Sequence, residues 1–250
     1  MKESLARLPR EVKASPTYKR LTSDLQRHFY FVHLAKVTPI EESNVWKDFD
    51  IPGVEDFYKR PWAKWLDLEA PYCEEIVKEF LTTMERKFEV DEEGTEVDIG
   101  VEAWVKGVRV EITIDGFNKY FECEEARPEH LGEIDGVEDL MVNDPDYQEK
   151  INEALFEPTF TMKSKNAYDK FSTKAKVINK ILFNRVYSKK NPRKVVREKM
   201  ALVYAVTNGD VMINLGYQVV KNLVTMCEAK GKLASLPYPR LITLFCIRLK

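Results

Sequence analysis

The sequence predicts an α+β fold that is predominantly α-helical, with one β-hairpin, an acidic first lobe and a basic helical second lobe. Three observations carry this prediction. Apolar residues recur at helical spacing in several segments, two runs of alternating apolar and polar residues flank Lys106-Gly107, and charge is segregated along the chain. The 250 residues are 44% hydrophobic and 32% charged, so the chain can bury a sizeable core.

The charge pattern and turn signals divide the chain into four expected segments. They are an N-terminal helical or extended segment over 1–60, an acidic helix and β-hairpin over 61–121, an acidic linker over 122–171 and a basic helical lobe over 172–250.

Two helices are predicted in the first third of the chain. Ser15 and Pro16 form the cap and first turn of a helix that runs to Leu25. The aromatic run His28–Leu34 fits either a buried strand or the apolar end of that helix, and periodicity does not decide between them. Pro71 to Lys87 has apolar residues at i, i+3 and i+4, which predicts the best helix of the first half.

A β-hairpin is predicted around Gly107, which supplies the positive φ of a tight turn. The runs Glu96–Val105 and Val108–Ile114 alternate with period two. The expected buried positions of the hairpin are Val105, Val108, Val110 and Ile112. A short helix to Phe121 follows, with Asp115 as its expected cap.

Helices are also predicted for the rest of the chain, from the spacing of its apolar residues. A brief helix is expected over Tyr147–Phe156. The basic lobe has four helical segments, which are Ser172–Tyr187, Asn191 to about Thr207, Asp210 to about Met226, and Leu241–Ile247.

The formal net charge of −2 conceals a strong asymmetry. Residues 1–60 carry a net charge of +2, residues 61–160 carry −19 and residues 161–250 carry +15. Three interpretations compete. The basic part faces an external polyanion such as nucleic acid, or it packs against the acidic part of the same chain or of a neighbouring subunit, or the two parts are unrelated solvated faces.

The sharpest positive signal is the cluster Lys189–Lys194, which fits a nuclear-import signal, a phosphate-binding edge or a solvated helix start. Arg193 and Lys194 fall in an expected first helical turn, where the helix dipole disfavours cations, and this slightly favours an external anionic partner. The candidate nucleic-acid-binding residues are Lys174, Lys176, Lys180, Arg185, Lys189, Lys190, Arg193, Lys194 and Arg197.

Sequence motifs for catalysis, metals and cofactors are missing. The four cysteines lack C-x-x-C spacing, which favours free thiols over a zinc site, and there is neither a phosphate loop nor a nucleophile elbow. A two-metal strand-transfer site needs clustered carboxylates, for which the candidates are Asp98, Glu102, Glu111 and Asp115. The βαβ pattern of an RNase-H-like sheet is absent around them, so the sequence indicates no catalytic residues, no metal and no cofactor.

Trp62 and Trp65 stand at i, i+3 spacing. They fit either a core anchor on one helical face or a surface for stacking bases, and their acidic surroundings favour the core anchor.

Several ordered motifs resemble the plant transposon protein domain. Arg193 to Gly216, read with Leu236 to Cys246, resembles that family's R-x-x-L-L-Y-A-I-x-x-G, I-N-V-G and F-P-x-L-I-T-x-L-C motifs. Val77–Leu81 resembles its V-x-E-F-Y/L helix, and Trp104–Val110 its V-R-G-V-x-V hairpin. The family's A-K-x-W-L segment is A-K-V-I-N here, a departure. The resemblance implies a single family domain over 61–250 from a plant transposable element, and it brings no known catalytic residues.

The function expected from these observations is a non-enzymatic, transposon-derived module that associates with DNA or RNA, as a structural retroelement protein would. Two alternatives remain: a metal-dependent DNA strand-transfer enzyme, or an interaction domain that self-associates through its acidic and basic faces. No membrane span and no small-molecule ligand are indicated, so we expect an intracellular protein of the nucleus or cytoplasm.

Overall fold

The computed structural model describes residues 1–39, 63–66, 68–123, 145–156, 167–188, 197–208, 214–229, 233 and 235–248. The helices in these ranges are α1 (Lys2–Ala6), α2 (Arg10–Ala14), α3 (Pro16–Arg20), α4 (Asp24–His28), α5 (Ala63–Leu66), α6 (Glu74–Thr83), α7 (Ile114–Phe121), α8 (Pro145–Leu155), α9 (Thr173–Arg185), α10 (Arg197–Asn208), α11 (Leu215–Glu228) and α12 (Pro239–Arg248). The strands are β1 (Glu85–Val90), β2 (Glu96–Val105) and β3 (Val108–Thr113). They form one antiparallel sheet in the order β1-β2-β3, which confirms the predicted α+β, mainly helical class.

The chain forms two compact units that are interleaved in sequence. Unit 1 comprises Met1–Ile40, Leu68–Phe117 and Gly216–Lys250, and unit 2 comprises Glu41–Asp67 and Asn118–Leu215. These units cut across the expected segments 1–60, 61–121, 122–171 and 172–250, because they follow contacts in space and not position along the chain.

The predicted hairpin is the centre of unit 1. Val105 pairs with Val108 across a two-residue turn in which Lys106 has a φ of 51° and Gly107 a φ of 82°, the pattern that a type I′ turn requires. Val105, Val110 and Ile112 are buried as predicted. Val108 is 43% exposed, so its predicted burial is wrong. It lies beside the turn on the last strand of the sheet, where fewer neighbours cover it.

The predicted helix over Pro71–Lys87 is too long. It begins at Glu74 and ends at Thr83, and the chain then enters β1, which pairs with β2. The turn between the two strands forms around Asp91, whose Oδ1 accepts hydrogen bonds from the backbone N–H groups of Glu93 at 3.0 Å and Thr95 at 2.8 Å. These contacts stabilise the strand over the charged residues that helical periodicity had assigned to the helix.

The end of α6 is tied to the sheet by Thr83. Its hydroxyl accepts a hydrogen bond from the backbone N of Trp104 at 3.0 Å and lies 2.9 Å from the Trp104 carbonyl oxygen. The hydroxyl of Thr83 thus hydrogen-bonds with both the N–H and the carbonyl group of Trp104. It continues the hydrogen bonding between β1 and β2 beyond the first residue of β1.

Gly100 lies on β2 where a side chain would meet the backbone of β3. A Cβ atom built there would lie 2.7 Å from the carbonyl oxygen of Ile112 and 2.9 Å from Cα of Thr113. We expect Gly100→Ala to lower the free energy of unfolding by about 2 kcal/mol, because backbone atoms must move apart. Gly94→Ala is the matched control and should cost only about 1 kcal/mol, because its space is open and only the left-handed φ is strained. Urea unfolding of both variants measures the difference, and an equal or smaller cost for Gly100→Ala would contradict the close approach.

The N-terminal segment of unit 1 is helical, and Ser15 caps its third helix by accepting a hydrogen bond from Tyr18 N at 3.2 Å. The predicted helix ends at Arg20, not at Leu25. A capping box between Ser23 and Gln26 starts α4. The aromatic run continues as a π-helical turn (Phe29–His33) and a 3₁₀ turn (Leu34–Lys36), so the helical alternative is confirmed.

The helix α12 covers the inner side of the sheet with α6. It contacts both α6 and β3, and the Thr243 hydroxyl accepts a hydrogen bond from Cys73 N at 3.0 Å. The buried core of unit 1 includes Val77, Phe80, Leu81, Met84, Val101, Ile112, Leu241 and Ile242.

Unit 2 is helical where it is described, with α10 in contact with both α8 and α9. The predicted brief helix is confirmed as α8, and the segment that follows it is joined to the start of α9 by a bridge between Phe156 and Phe171. In α5, Trp65 is fully buried and its ring meets Phe121 edge-on at 5.2 Å, which confirms the core-anchor interpretation for this residue. Trp62 lies outside the described residues.

The start of α7 differs from the prediction. The Thr113 hydroxyl accepts a hydrogen bond from Gly116 N at 3.0 Å, so the cap of α7 is Thr113 and not Asp115. The third basic-lobe helix is described from Leu215, and the expected start at Asp210 lies outside the described residues.

Candidate nucleic-acid interface

The helix α9 holds the described part of the predicted interface. Ser172 caps it, with Oγ accepting a hydrogen bond from Ala175 N at 3.3 Å. A stripe of fully buried apolar residues follows at helical spacing and packs in unit 2, and it comprises Ala175, Ile178, Ile181 and Leu182. This stripe fixes which side chains of α9 face outward.

Two of the predicted basic residues share one side of α9. Lys176 and Lys180 are separated by four residues, and residues at this spacing are neighbours on a helix surface. Lys180 is exposed and Lys176 is half-buried. Within the described ranges, neither ammonium group forms an ion pair or a side-chain hydrogen bond. Both ammonium groups are thus not neutralised by any residue that the structure describes.

Lys174 has an internal partner. Its Nζ donates a hydrogen bond to the carbonyl oxygen of Thr207 at 3.3 Å, in the last turn of α10. The last carbonyls of a helix have no partner within the helix and attract cations. Lys174 thus links α9 to the C-terminal end of α10, and a phosphate would have to compete with this contact.

Arg185 lies in the interior of unit 2, with no exposed surface. An external phosphate cannot reach its guanidinium group unless α9 moves. The sequence could have indicated that Arg185 is buried. Arg185 follows Ile178 by seven residues and Leu182 by three, a spacing that places all three on one face of a helix.

The other five predicted residues are not placed by the structure. Lys189, Lys190, Arg193 and Lys194 lie outside the described residues. Arg197 is the first residue of α10, and its side chain is not described either.

Three of the four candidate acids of the strand-transfer alternative form ion pairs with cations of the same sheet. Asp98 Oδ1 lies 2.7 Å from a guanidinium nitrogen of Arg86, and Glu102 pairs with Arg109. Glu111 pairs with Lys87 and lies 3.0 Å from Arg109, and its hydrogen bond with Lys87 lowers the pKa of its carboxyl group. Asp115 is exposed in the first turn of α7.

Metal-ligand geometry is likewise lacking in the part of the chain that the structure describes, where no three His, Cys, Asp or Glu side chains are grouped so that they could hold a metal ion. All four cysteines are free thiols. Burial raises the pKa of Cys123 and Cys246 to about 12, so both thiols are neutral at physiological pH.

The sequence analysis missed two features of unit 1. Glu79 is buried, and its carboxylate accepts hydrogen bonds from Arg20 Nε at 2.8 Å and from Lys106 N at 3.1 Å. Trp104 is 57% exposed on β2. The exposure of Trp104 could have been predicted from the alternation of side chains along a strand. Ala103 and Val105, on either side of it, are buried, so Trp104 lies on the opposite face of the sheet.

The family model described as "Putative plant retrotransposon-related domain" matches residues 58–250. The chain belongs to this family. The match covers every motif that carried the resemblance, from Val77 to Cys246. This plant retrotransposon-related protein is therefore a member of a retroelement-derived family. No curated protein and no solved structure matches it. Among the described residues of the protein, no helix is both long enough and apolar enough to cross a membrane.

Proposed function

We propose that this retrotransposon-related chain is a non-enzymatic module that binds nucleic acid through its basic part, as a structural protein of a retroelement would. The binding is electrostatic and independent of base sequence, because lysine and arginine neutralise phosphates and release counterions. The observation that carries the proposal is the pair Lys176 and Lys180, two cations without described partners on one side of α9.

The composition around this pair supports the proposal. Residues 161–250 hold 19 basic and only 4 acidic residues, so the part of the chain that contains α9 has few carboxylates of its own to neutralise the lysines. Several acids of the sheet in unit 1 have local partners instead, as the contacts of Arg86 with Asp98 and of Arg109 with Glu102 illustrate. A carboxylate that is already paired attracts a further cation less strongly, which favours an external polyanion for the basic part.

A salt series of binding measurements tests the proposal. A fluorescently labelled single-stranded oligonucleotide, its duplex and an RNA of the same sequence are titrated with the full chain, and anisotropy is recorded at several salt concentrations. We expect the logarithm of affinity to fall linearly with the logarithm of salt concentration. The double variant Lys176→Gln/Lys180→Gln should weaken binding by about threefold to tenfold and reduce the slope by about 1 to 2, since two phosphate contacts are lost.

The matched control removes two exposed lysines from unit 1. Lys2→Gln/Lys19→Gln changes the net charge by the same amount and should leave affinity and slope nearly unchanged. Equal effects of the two double variants would show that net charge alone matters and would contradict an interface on α9. No anisotropy change with any oligonucleotide at low salt would overturn nucleic-acid binding, and a mass that rises with protein concentration in those samples would favour self-association.

The predicted cluster gives a second, independent variant. Replacing Lys189, Lys190, Arg193 and Lys194 by serine should reduce affinity further than the pair on α9, because four cations are removed and the slope scales with the number of phosphate contacts.

A further inference from the structure

A cavity of about 480 Å³ lies within unit 1, between the N-terminal helices, the end of α6 and the hairpin. Its lining includes Arg20, Gln26, Glu79, Glu85 and Trp104. The volume falls in the range of sites that hold small ligands or single side chains. The lining combines an aromatic ring with carboxylates, and this combination determines what the cavity can bind.

Trp104 forms a rigid wall of this cavity. Tryptophan is usually well buried, yet this side chain is 57% exposed. Its backbone is held on one side by the Thr83 hydroxyl and on the other by pairing with Arg109 across the hairpin. Because these contacts hold the backbone of Trp104 on both sides, the backbone does not have to be ordered when a ligand binds.

The floor of the cavity is electrically neutral. Glu79 and Arg20 form a bidentate ion pair, with Arg20 Nη2 lying 3.0 Å from Glu79 Oε2 and Nε lying 2.8 Å from Oε1. The two charges cancel, and the remaining charged group on the lining is the carboxylate of Glu85.

Glu85 is the charged group of the lining that no described residue neutralises. Its carboxylate has no ion pair or hydrogen bond with any described residue. It lies opposite Glu102 in the β1–β2 register, and Arg109 already pairs with Glu102. A cation beside Glu85 would therefore meet an unpaired carboxylate, whereas an anion would be repelled by it.

A second cavity extends the site. It measures about 450 Å³, shares Gln26 and Glu85 with the first cavity, and is also lined by Glu228 and by His28 and His33. Glu228 forms no ion pair within the described part of the chain, and its charge contributes to the raised pKa of Arg86. Because they share two lining residues, the two cavities lie side by side, and their combined lining is negatively charged. A cationic side chain fits in one cavity, and the polypeptide to which it belongs has room in the other.

From these observations we propose that the Trp104 cavity binds an arginine side chain of a partner polypeptide. The guanidinium group stacks on the exposed indole and donates a bidentate hydrogen bond to Glu85. Arginine fits better than lysine, because a planar guanidinium matches both the aromatic face and the two carboxylate oxygens. This site is separate from the lysines of α9 and does not depend on nucleic-acid binding.

The test follows the indole N–H signals of the ¹⁵N-labelled full chain by NMR, with the Trp104 signal identified from a Trp104→Phe variant. The probe is the capped peptide acetyl-Gly-Arg-Gly-amide, and the neutral control is the same peptide with citrulline, which has the shape of arginine without its charge. We expect a saturable shift of the Trp104 signal with the arginine peptide, and at least about tenfold weaker binding of the citrulline peptide.

A pair of variants on β1 shows whether Glu85 is the anion in question. Glu85→Gln should weaken binding of the arginine peptide about fivefold, which corresponds to the loss of one charge-assisted contact. Glu89→Gln removes a carboxylate from the same exposed strand, outside the cavity lining, and should leave binding unchanged. Circular dichroism of each variant confirms that the fold is retained.

Four outcomes would overturn the proposal. They are a Trp104 signal that does not saturate, equal binding of the arginine and citrulline peptides, equal effects of Glu85→Gln and Glu89→Gln, and a shift of the Trp104 signal by adenosine monophosphate but not by the arginine peptide. The last outcome would replace the cation site by a base-stacking site.

Discussion

Substitution of Trp65 by alanine is expected to lower the free energy of unfolding by about 4 kcal/mol, the largest effect of any single change considered for this protein. The side chain is fully buried in unit 2, and its ring packs edge-on against Phe121. Truncation removes both the transfer free energy of the indole and its dispersion contacts, and it leaves a cavity that the short helix α5 cannot fill. Urea unfolding followed by far-ultraviolet circular dichroism measures the loss.

Trp104→Ala is the matched control for Trp65→Ala. It removes the same side chain from a position that is 57% exposed, and it should cost less than about 1 kcal/mol, because most of that surface already contacts water. If the two substitutions had equal effects, the different burial of the two tryptophans would be refuted.

Substitution of Glu79 by alanine is expected to cost about 3 kcal/mol. The change leaves two donors without their acceptor: the guanidinium of Arg20, whose side chain is 30% exposed, and the backbone N–H of Lys106 in the hairpin turn. If both Glu79 and Arg20 were completely buried, breaking their ion pair would cost about 5 kcal/mol. The partial exposure of Arg20 reduces it, because water can solvate the freed guanidinium.

A double-mutant cycle and a surface pair serve as controls for Glu79. Arg20→Ala combined with Glu79→Ala should show a coupling of about 1 to 2 kcal/mol, since each partner is costly only while the other remains. Glu74→Ala breaks the ion pair of Glu74, whose side chain is 50% exposed, with Lys78, the oxygen and nitrogen lying 2.6 Å apart, and should cost no more than about 1 kcal/mol. Equal costs at Glu74 and Glu79 would refute the structural role of the buried carboxylate.

The features that the sequence predicted well depend on local interactions. The hairpin at Lys106-Gly107 and the cap at Ser15 each need only a few neighbouring residues. Their determinants are the tolerance of glycine for positive φ and the reach of a serine hydroxyl to an N–H group three residues ahead. Such interactions can be recognised without knowledge of the tertiary structure.

The features that the sequence did not predict depend on contacts distant along the chain. The residues of β1 look like the continuation of a charged helix, and they form a strand because β2 offers a pairing edge. In the sequence, Glu79 is one residue of an amphipathic helix within a family motif. Its role as a buried ion-pair partner depends on Arg20, which is 59 residues away in sequence. Helical periodicity contains no information about such partners.

The candidate interface shows the same limit in a different form. Counting charge selected the basic part of the chain as the candidate interface, and it treated every lysine and arginine alike. In the structure Lys180 is exposed, Lys174 contacts a helix end and Arg185 is buried. Periodicity alone could have separated Arg185 from the others, whereas the contact of Lys174 with Thr207 required the packing of α9 beside α10.

The interleaving of the two units has a consequence for synthesis on the ribosome. The apolar face of the sheet in unit 1 is complete once residue 113 has left the exit tunnel, but α12, which covers it, is made more than 120 residues later. Throughout that interval α6 covers the face without α12, so the part of the face that α12 buries stays open and aggregation-prone. A premature stop anywhere between the hairpin and Pro239 would leave that part permanently open, and such a product would be a preferred target for chaperones and proteases.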